Sequence, residues 1–495
     1  SRLALLRIAH IERWVANPVA TQREVLQDLV THGQYTAFGR KYGFNEIFNI
    51  RKFKEAVPIS EYEDLKPFID RLFEGEDQVL WNTPVKWFAK SSGTTSDKSK
   101  FIPITKESLE DCHYQAAKDV LALYYHFNND SDLLTGKGLV IGGSHQISKI
   151  NDDMSVGDLS AVLLQNTPMW ANWIRTPELS IALMDEWETK IEQLAQSTIL
   201  ENVTSISGVP TWTLLLIKRI LEITGKQTLK EVWPSLELYI HGGVSFTPYK
   251  EQFQKLIGPG CHYLEMYNAS EGFFAAQDDP SVEGMLLFLD HGIFYEFMPT
   301  EEYGKEKPRT IGLNKVELDK NYALVISTNG GLWRYKIGDT IKFTSACPYR
   351  FRISGRTKHF INAFGEELMI DNAITALERA SKQTGANVKD YSAAPVYMSG
   401  ETAGGHEWIF EFNTAPNDIE LFAKILDDTL KEVNSDYEAK RYKNMALHFP
   451  VIHEARPNVF YDWLKKKGKL GGQNKVPRLS NNRTILEELL ELNAQ

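Results

Sequence analysis

The spacing of apolar positions changes twice along this chain. Before about Trp81, apolar residues recur at helical spacing, as in Ile8, Ile11, Trp14 and Val15. The segment before Trp81 is therefore predicted to be helical.

Beyond Trp81, short apolar runs that suit strands alternate with helical patterns. The runs at 138–141 and 236–240 each end in a glycine pair, and an apolar stripe over 181–194 indicates a helix. Another helix is predicted to start at Pro248 and end near Gly258. Strand, glycine turn and helix in alternation favour a mostly parallel sheet covered by helices.

Two later regions differ from this pattern. Residues 285–298 and 322–343 are rich in Phe, Tyr, Ile and Val, and they predict the paired strands of a β-subdomain. After Gly365 the pattern predicts a helix at 369–382, a strand near 396, a strand at 406–412 and a helix at 419–434. These patterns predict an α/β protein. Because 495 residues are too many for one compact core, we expect two domains: a large N-terminal domain, residues 1–365, and a small α+β C-terminal domain, residues 366–495.

Composition narrows the function classes. The net charge of −10 argues against a general binder of nucleic acid or of anionic membranes. Cys112, Cys261 and Cys347 are far apart and odd in number, so they predict reduced thiols, with neither a disulfide framework nor a zinc site. No secretory signal and no apolar run of membrane-spanning length is found. We therefore expect a soluble, cytoplasmic protein.

A hydroxyl-rich segment carries the first candidate chemistry. Residues 90–103 contain six Ser or Thr hydroxyls, one glycine and the basic residues Lys98 and Lys100 between apolar flanks. Hydroxyls and backbone amides of such a loop can wrap phosphate oxygens, and lysines can neutralise their charge. The segment does not fit the Walker pattern, which disfavours a P-loop NTPase. By composition alone, the segment would be interpreted as a solvated surface turn, which Ser/Thr/Gly clusters usually are.

Two acidic turns are further candidates. Residues 261–266 predict a strand, and 267–272 the loop at its end, where ligands of parallel sheets gather. In that loop Tyr267 can stack on a purine and Glu271 can bind Mg²⁺. Asp339 follows a glycine and could accept hydrogen bonds from both hydroxyls of a ribose. Taken alone, each is also explained as an ordinary strand end or turn.

Five motifs together resemble a known family. The segment Phe88-Ala-Lys-Ser-Ser-Gly-Thr-Thr95 looks like the phosphate loop of adenylate-forming enzymes, and in this form like the auxin-responsive "Gretchen Hagen" acyl-acid amido synthetases. The others are similar to the Tyr-x-Ser-Ser-Glu, Tyr-Arg-x-Gly-Asp, Gly-Arg hinge and Gln-x-Lys-x-Pro-Arg elements, and they stand at 267–271, 335–339, 355–365 and 473–478. They occur in the expected order along nearly the whole chain.

The resemblance implies a role for each matching residue. For nucleotide and phosphate binding it implies Ser91, Ser92, Gly93, Thr94, Thr95, Gly242, Gly243, Tyr267, Asn268, Ala269, Ser270 and Asp339. It implies Glu271 as the magnesium ligand, and Arg356 and Lys475 as catalytic residues. Lys475 would lie in a mobile C-terminal domain and stabilise charge during adenylation. Three departures from the pattern are Ala269 for serine, Lys358-His359 for an acidic pair, and Asn362 for lysine.

The implied reaction is ATP-dependent ligation with Mg²⁺. A carboxylic acid would become an acyl-adenylate with release of pyrophosphate, and an amine or amino acid would then take the acyl group and release AMP. The partners are therefore small molecules, with no nucleic acid and no membrane. Two alternatives stay open: transfer to coenzyme A to give a thioester, and a nucleotide-binding protein without turnover. The sequence specifies neither the acid nor the oligomeric state.

Overall fold

A computed structural model gives the fold of most of the chain. It describes residues 2–92, 99–142, 147–168, 173–184, 186–244, 246–247, 249–357, 360–398, 402–467 and 476–494. Within these segments, no helix combines the length and the apolar character needed to cross a bilayer. Cys112, Cys261 and Cys347 are free thiols, as predicted.

The helices alternate with strands through most of the chain. They are α1 (Arg2–Ala16), α2 (Pro18–Gly33), α3 (Ala37–Lys41), α4 (Ile50–Ala56), α5 (Tyr62–Phe73), α6 (Gln115–Phe127), α7 (Leu159–Asn166), α8 (Leu179–Ala182), α9 (Trp187–Thr198), α10 (Pro210–Thr224), α11 (Leu229–Val232), α12 (Lys250–Ile257), α13 (Ile370–Thr384), α14 (Ile419–Val433), α15 (Ser435–Arg441), α16 (Val459–Lys466) and α17 (Thr484–Asn493). The predicted helical start is confirmed, because α1 to α5 occupy it.

The strands fall into several sheets. They are β1 (Trp87–Ser92), β2 (Ser99–Ile104), β3 (Lys137–Val140), β4 (Ser148–Lys149), β5 (Ser155–Asp158), β6 (Arg175–Thr176), β7 (Val203–Ser207), β8 (Leu238–His241), β9 (His262–Ala269), β10 (Gly272–Ala276), β11 (Met285–Leu287), β12 (Ile293–Pro299), β13 (Asn321–Thr328), β14 (Tyr335–Ala346), β15 (Tyr349–Arg356), β16 (Phe360–Ile361), β17 (Leu368–Met369), β18 (Asn387–Val396), β19 (Gly405–Thr414) and β20 (Val451–Glu454).

The largest sheet is half parallel and half antiparallel. Among the described residues it has 11 strands in the order β12-β13-β14-β15-β11-β10-β9-β8-β7-β3-β6. At one end of this order, the neighbouring strands β6, β3, β7, β8 and β9 pair in parallel. The rest of the sheet, from β9 through β10, β11, β15, β14 and β13 to β12, pairs antiparallel. Helices α10 and α12 make the crossovers that parallel strands require. Strand β9 is therefore the junction of the two halves, where the predicted parallel sheet meets the predicted β-subdomain.

Besides the two-stranded β16–β17 sheet, two smaller sheets accompany the large one among the described residues. The described strands β2-β1-β5-β4 form one of them, and β1 pairs in parallel with β5. Near the end of the chain, β18, β19 and β20 form the other, and α13 packs on α14 beside it. This matches the strands and helices predicted after Gly365.

Three sequence expectations require correction. The apolar stripe predicted as one helix over 181–194 is divided between α8 and α9, because the Glu186 carboxylate caps a new helix by accepting from the Thr189 amide at 2.6 Å. Helix α12 begins at Lys250 rather than at Pro248. The predicted loop after residue 266 is largely strand, since β9 extends to Ala269.

Buried ion pairs fix α1 onto α6 and the segment before β12. The Arg7 Nε lies 2.5 Å from Asp119 Oδ1 on α6, and the His291 Nε2 lies 3.0 Å from the other oxygen of the same carboxylate. Asp119 and His291 are fully buried. Because a buried carboxylate needs such partners, this network ties α1, α6 and the segment before β12 together.

Candidate active site

The centre of the candidate site is the hairpin of β9 and β10. Ala269 pairs with Gly272, so the turn consists of Ser270 and Glu271 alone. Tyr267, Asn268 and Ala269 are strand residues because β10 folds back and continues the ladder that β9 began. The hairpin lies where the parallel half of the sheet ends, beside the carboxyl ends of β7 and β8.

Tyr267 and Asp339 are joined by a short hydrogen bond. The Tyr267 hydroxyl donates to Asp339 Oδ2 at 2.5 Å, and both residues are buried. The tyrosine ring packs against Phe274 and Phe351, with centroid distances of 4.8 and 6.2 Å. Since its ring is enclosed, Tyr267 acts on the site mainly through its hydroxyl, which fixes the orientation of the aspartate.

Arg356 holds the other oxygen of the same aspartate. In the ladder of β14 and β15, Asp339 stands opposite Arg356, and the Arg356 Nε lies 2.8 Å from Asp339 Oδ1. The guanidinium also reaches Glu367 Oε1 at 3.1 Å and lies 5.2 Å above the Phe360 ring. Burial lowers the pKa of Arg356, but the carboxylates of Glu367 and Asp339 outweigh it and raise the pKa. The arginine is therefore a fixed positive charge.

Glu271 is half-buried among other carboxylates. Burial raises its pKa; Lys100 acts in the opposite direction, and Glu367 and Asp339 raise it further. These interactions show that the turn after β9, the base of β2 and the start of β14 share one electrostatic environment. Nearby carboxylates and burial both disfavour the ionised form of Glu271 unless a cation is bound beside it. The carboxylate oxygens gathered here therefore fit a hard divalent ion.

The hydroxyl-rich segment begins beside this cluster. Ser91 is half-buried and stands opposite Lys100 in the β1–β2 ladder, and Ser92 ends β1. The remaining predicted phosphate-binding residues Gly93, Thr94 and Thr95, together with Lys98, lie outside the described residues. The β1–β2 hairpin, which carries the hydroxyl-rich loop, therefore places the start of that loop opposite Lys100, the lysine that acts to lower the pKa of Glu271.

The glycine pair after β8 leaves no room for side chains at its first position. A Cβ on Gly242 would lie 2.5 Å from the Met266 carbonyl oxygen of β9, so only glycine fits. Gly243 has a φ of +81°, and its carbonyl oxygen accepts from Asn362 Nδ2 at 3.0 Å. The pair thus brings bare backbone next to β9, and Asn362 ties it to the predicted hinge.

Side chains from the parallel half of the large sheet hold the predicted hinge by donating to the carbonyl oxygens of the hinge residues. The Tyr249 hydroxyl donates to the Ala363 oxygen at 2.7 Å, and the Thr211 hydroxyl donates to the Phe364 oxygen at 3.3 Å. Both donors lie on or beside helices of the parallel half of the sheet. Residues 363 and 364 are therefore anchored to the helices that cover the parallel half of the sheet.

The segment after Gly365 is held from the other side. The side-chain amide of Asn434, just before α15, donates through Nδ2 to the backbone carbonyl oxygen of Glu366 at 3.0 Å and to that of Glu367 at 3.1 Å. Gly365 itself has a φ of +86°, which favours glycine. The two sets of bonds meet at this residue.

The structure brings most of the predicted residues together. Those gathered around the β9–β10 hairpin and the start of β14 are Ser91, Gly242, Gly243, Tyr267, Asn268, Ala269, Ser270, Glu271, Asp339 and Arg356. Lys475 lies outside the described residues. Sequence reasoning missed Glu367, which binds Arg356; its only signal was the acidic pair after the hinge glycine.

Known structures share this fold. An AtGH3.15 acyl acid amido synthetase in complex with 2,4-DB is similar with a TM-score of 0.64 at 20% identity, covering 98% of this chain and 95% of that chain. A 2-hydroxyisobutyryl-CoA ligase has a TM-score of 0.61 at 13% identity, covering 97% and 93%. The predicted α/β fold of the adenylate-forming enzymes is therefore confirmed.

Curated relatives match over most of their length. An indole-3-acetic acid-amido synthetase, GH3.3 of Arabidopsis thaliana, is 23% identical over 97% of this chain and 92% of its own. The 4-substituted benzoates-glutamate ligase GH3.12 of the same plant is 20% identical over 96% and 95%. The jasmonoyl-L-amino acid synthetase JAR4 of Nicotiana attenuata is 25% identical over 65% and 66%.

Three domain models of one protein family match successive parts of the chain. The "GH3 family N-terminal domain" matches residues 7–261, the "GH3 family central domain" 286–356, and the "GH3 family C-terminal domain" 371–484. Together they account for most of its length, in the order in which the five motifs occur. The chain belongs to the GH3 family, the acyl acid amido synthetases that its motifs resemble.

Proposed function

We propose that this protein is an ATP-dependent acyl-acid amido synthetase. The observation that carries the proposal is the junction at β9, where Asp339 is oriented by Tyr267 and Arg356 and lies within electrostatic range of Glu271. A sugar-binding carboxylate, a cation-binding carboxylate and a hydroxyl-rich loop beside one another suit a nucleoside triphosphate. The family membership supports the same assignment.

Each part of the site has a role in this proposal. Asp339 accepts hydrogen bonds from the ribose hydroxyls, and the bare backbone of Gly242 and Gly243 forms one wall for the adenine. Residues 91–95 bind the phosphates with Lys100 nearby, and Glu271 would hold Mg²⁺. That ion would neutralise phosphate charge during adenylation. Arg356 fixes the aspartate and places a permanent positive charge next to the nucleotide.

Two chemical steps follow. In the first, a carboxylate oxygen of the acid bonds to the α-phosphorus of ATP as the bond to pyrophosphate breaks. A positive side chain beside the α-phosphate stabilises the developing charge, and the motif assigns this role to Lys475. In the second, the nitrogen of an amine bonds to the acyl carbon, AMP leaves with the bonding electrons, and the amine loses a proton.

The relatives indicate the substrate class. Their names specify indole-3-acetic acid, a jasmonoyl group and 4-substituted benzoates as the acyl parts, and glutamate as one acceptor. We propose a small carboxylic acid and an amino acid for this chain, acting in the cytoplasm, where free thiols persist. Residues 1–365 and 366–495 would act as two bodies joined at the hinge.

Pyrophosphate exchange into ATP tests the first step. Parent protein is incubated with labelled pyrophosphate, Mg²⁺ and a panel of aryl and alkyl acids, and Asp339→Asn serves as the control. Exchange that depends on one class of acid is expected. Retained ATP binding without exchange for any acid would instead indicate a nucleotide-binding protein without turnover.

Product analysis tests the second step. The acid that supports exchange is supplied with hydroxylamine, with amino acids or with coenzyme A, and the products are identified by mass spectrometry. An amide with an amino acid is expected. A thioester with coenzyme A and no amide would support the competing ligase activity, whose fold this chain shares.

A further inference from the structure

A lysine of the small domain is buried against the large one without an anionic partner. Lys440 lies on α15 and is only 8% exposed, and its ammonium lies 4.5 Å from the centroid of the Trp212 ring on α10. Among the described residues it makes neither an ion pair nor a side-chain hydrogen bond. By contrast, the adjacent Arg441 binds both oxygens of Asp427.

An unpaired buried ammonium is costly. Burial lowers the pKa of Lys440 to about 8, although the carboxylates of Asp436, Glu366 and Asp158 act to raise it from a distance. The Glu366 carboxylate is engaged elsewhere, with the Ala363 and Phe364 amides and with His406. The ring of Trp212 offsets only part of the desolvation. A cation in this state is poised to accept an anion.

The position of Lys440 connects it with the candidate active site. A Cβ on Gly365 would lie 3.5 Å from its ammonium nitrogen, which places the nitrogen against the hinge. Asp158, which acts on it electrostatically, stands opposite Lys90 in the β1–β5 ladder, one residue before Ser91. The ammonium therefore lies between the base of the phosphate loop and the hinge, at the junction of the two bodies.

We propose that Lys440 binds the α-carboxylate of the acceptor amino acid, at the edge of its contact with Trp212. The inference rests on the proposed function and assigns its second substrate. The phosphates of ATP have the loop at 91–95, and the carboxylate of the acid becomes part of the adenylate. The one remaining anion of the reaction is the carboxylate of an amino acid acceptor. An ammonium offers it three donors.

The test compares an amino acid with its carboxamide, which carries the same amine but no anion. For the parent we expect a KM for the free amino acid about 10- to 100-fold below that for the carboxamide, the size of one hydrogen-bonded charge pair. In Lys440→Met the KM for the amino acid should rise by that factor. The carboxamide should be unaffected, as should pyrophosphate exchange and transfer to hydroxylamine.

Lys443→Met is the matched control. Lys443 is a neighbouring lysine whose ammonium pairs with Glu188 of the large body on the exposed side of the same contact. Its loss removes an interdomain charge without touching Trp212, so both acceptors should keep the parental KM. Lys440→Gln repeats the test with a polar side chain, and the same loss of preference is expected if methionine disturbs the contact.

Two results would overturn the proposal. One is an unchanged preference for the free amino acid in Lys440→Met and Lys440→Gln. The other is an equal rise of KM for both acceptors, which would mean that Lys440 only shapes the contact. Either result with normal pyrophosphate exchange leaves the proposed function standing. Absence of exchange in the parent protein would refute the function itself.

Discussion

Replacing Asp339 with asparagine is the most direct test of the nucleotide site. The substitution keeps the shape of the side chain and removes its charge. In the structure, one carboxylate oxygen accepts from the Tyr267 hydroxyl at 2.5 Å and the other from the Arg356 Nε at 2.8 Å. Each oxygen retains a lone pair for a ribose hydroxyl. Asp339→Asn replaces one of these charged acceptors with an amide donor.

The expected loss follows from these contacts. A hydrogen bond to a charged acceptor contributes about 1.5–3 kcal/mol, and at least one ribose bond of this kind is lost. The Kd for ATP should therefore rise by about 10- to 150-fold. Tyr267→Phe is the matched control, because it removes a donor to the same carboxylate but leaves the ribose acceptors. Its cost should be about 1 kcal/mol, roughly fivefold in Kd.

Titration with two nucleotides separates binding from folding. ATP and 2′,3′-dideoxy-ATP are each titrated into the parent and Asp339→Asn, and the four affinities form a cycle. In the parent, ATP should bind more tightly than the dideoxy analogue, and in the variant this difference should become markedly smaller. Equal weakening of both nucleotides in Asp339→Asn would refute the ribose role, since it would show a general disturbance of the β14–β15 ladder.

Three other predictions address separate parts of the molecule. Lys475→Ala should slow pyrophosphate exchange by about 10²–10³-fold with little change in ATP affinity; an equal rate would remove Lys475 from the mechanism. Glu271→Gln should weaken Mg²⁺ binding in the presence of ATP by roughly 10–100-fold, and titration calorimetry with and without the metal measures this. Asp119→Asn should lower the free energy of unfolding at pH 7 by about 3 kcal/mol in urea unfolding. Burial raises the pKa of Asp119, but hydrogen bonds from His291 and Arg7 outweigh it and lower the pKa. Its ionisation therefore stabilises the fold above pH 3.8, the ordinary value, and the difference between parent and variant should shrink as the pH falls further; a constant difference would refute this.

Local patterns predicted the elements better than their ends. Helices α13 and α14 and strands β18 and β19 lie within a few residues of their predicted positions, because each has a complete apolar face in its own sequence. The hairpin at Ser270 was predicted as a longer loop. Its strand residues are defined by pairing with β10, and the register of that pairing depends on the folded sheet.

The site itself was predictable only in part. Motif resemblance identified Asp339 and Arg356 separately, but only the antiparallel register of β14 and β15 shows that they face each other. The enclosure of Tyr267 depends on aromatic residues of β10 and β15, and no local pattern contains it. Lys440 had no signal at all, because one lysine on a short, charged helix looks like a solvated residue until Trp212 is placed beneath it.

The bonds on either side of Gly365 have a consequence for the order of substrate addition. Tyr249 and Thr211 hold the residues before Gly365 and Asn434 holds those after it, so a rotation between the two proposed bodies would be taken up partly in the torsion angles of this glycine. The same rotation would separate Lys440 from Trp212. A carboxylate bound to Lys440 at this contact would therefore favour the orientation seen here over others. An amino acid that arrives before ATP has reacted would hold this orientation, so, where adenylation uses a different one, excess acceptor should inhibit the first half-reaction.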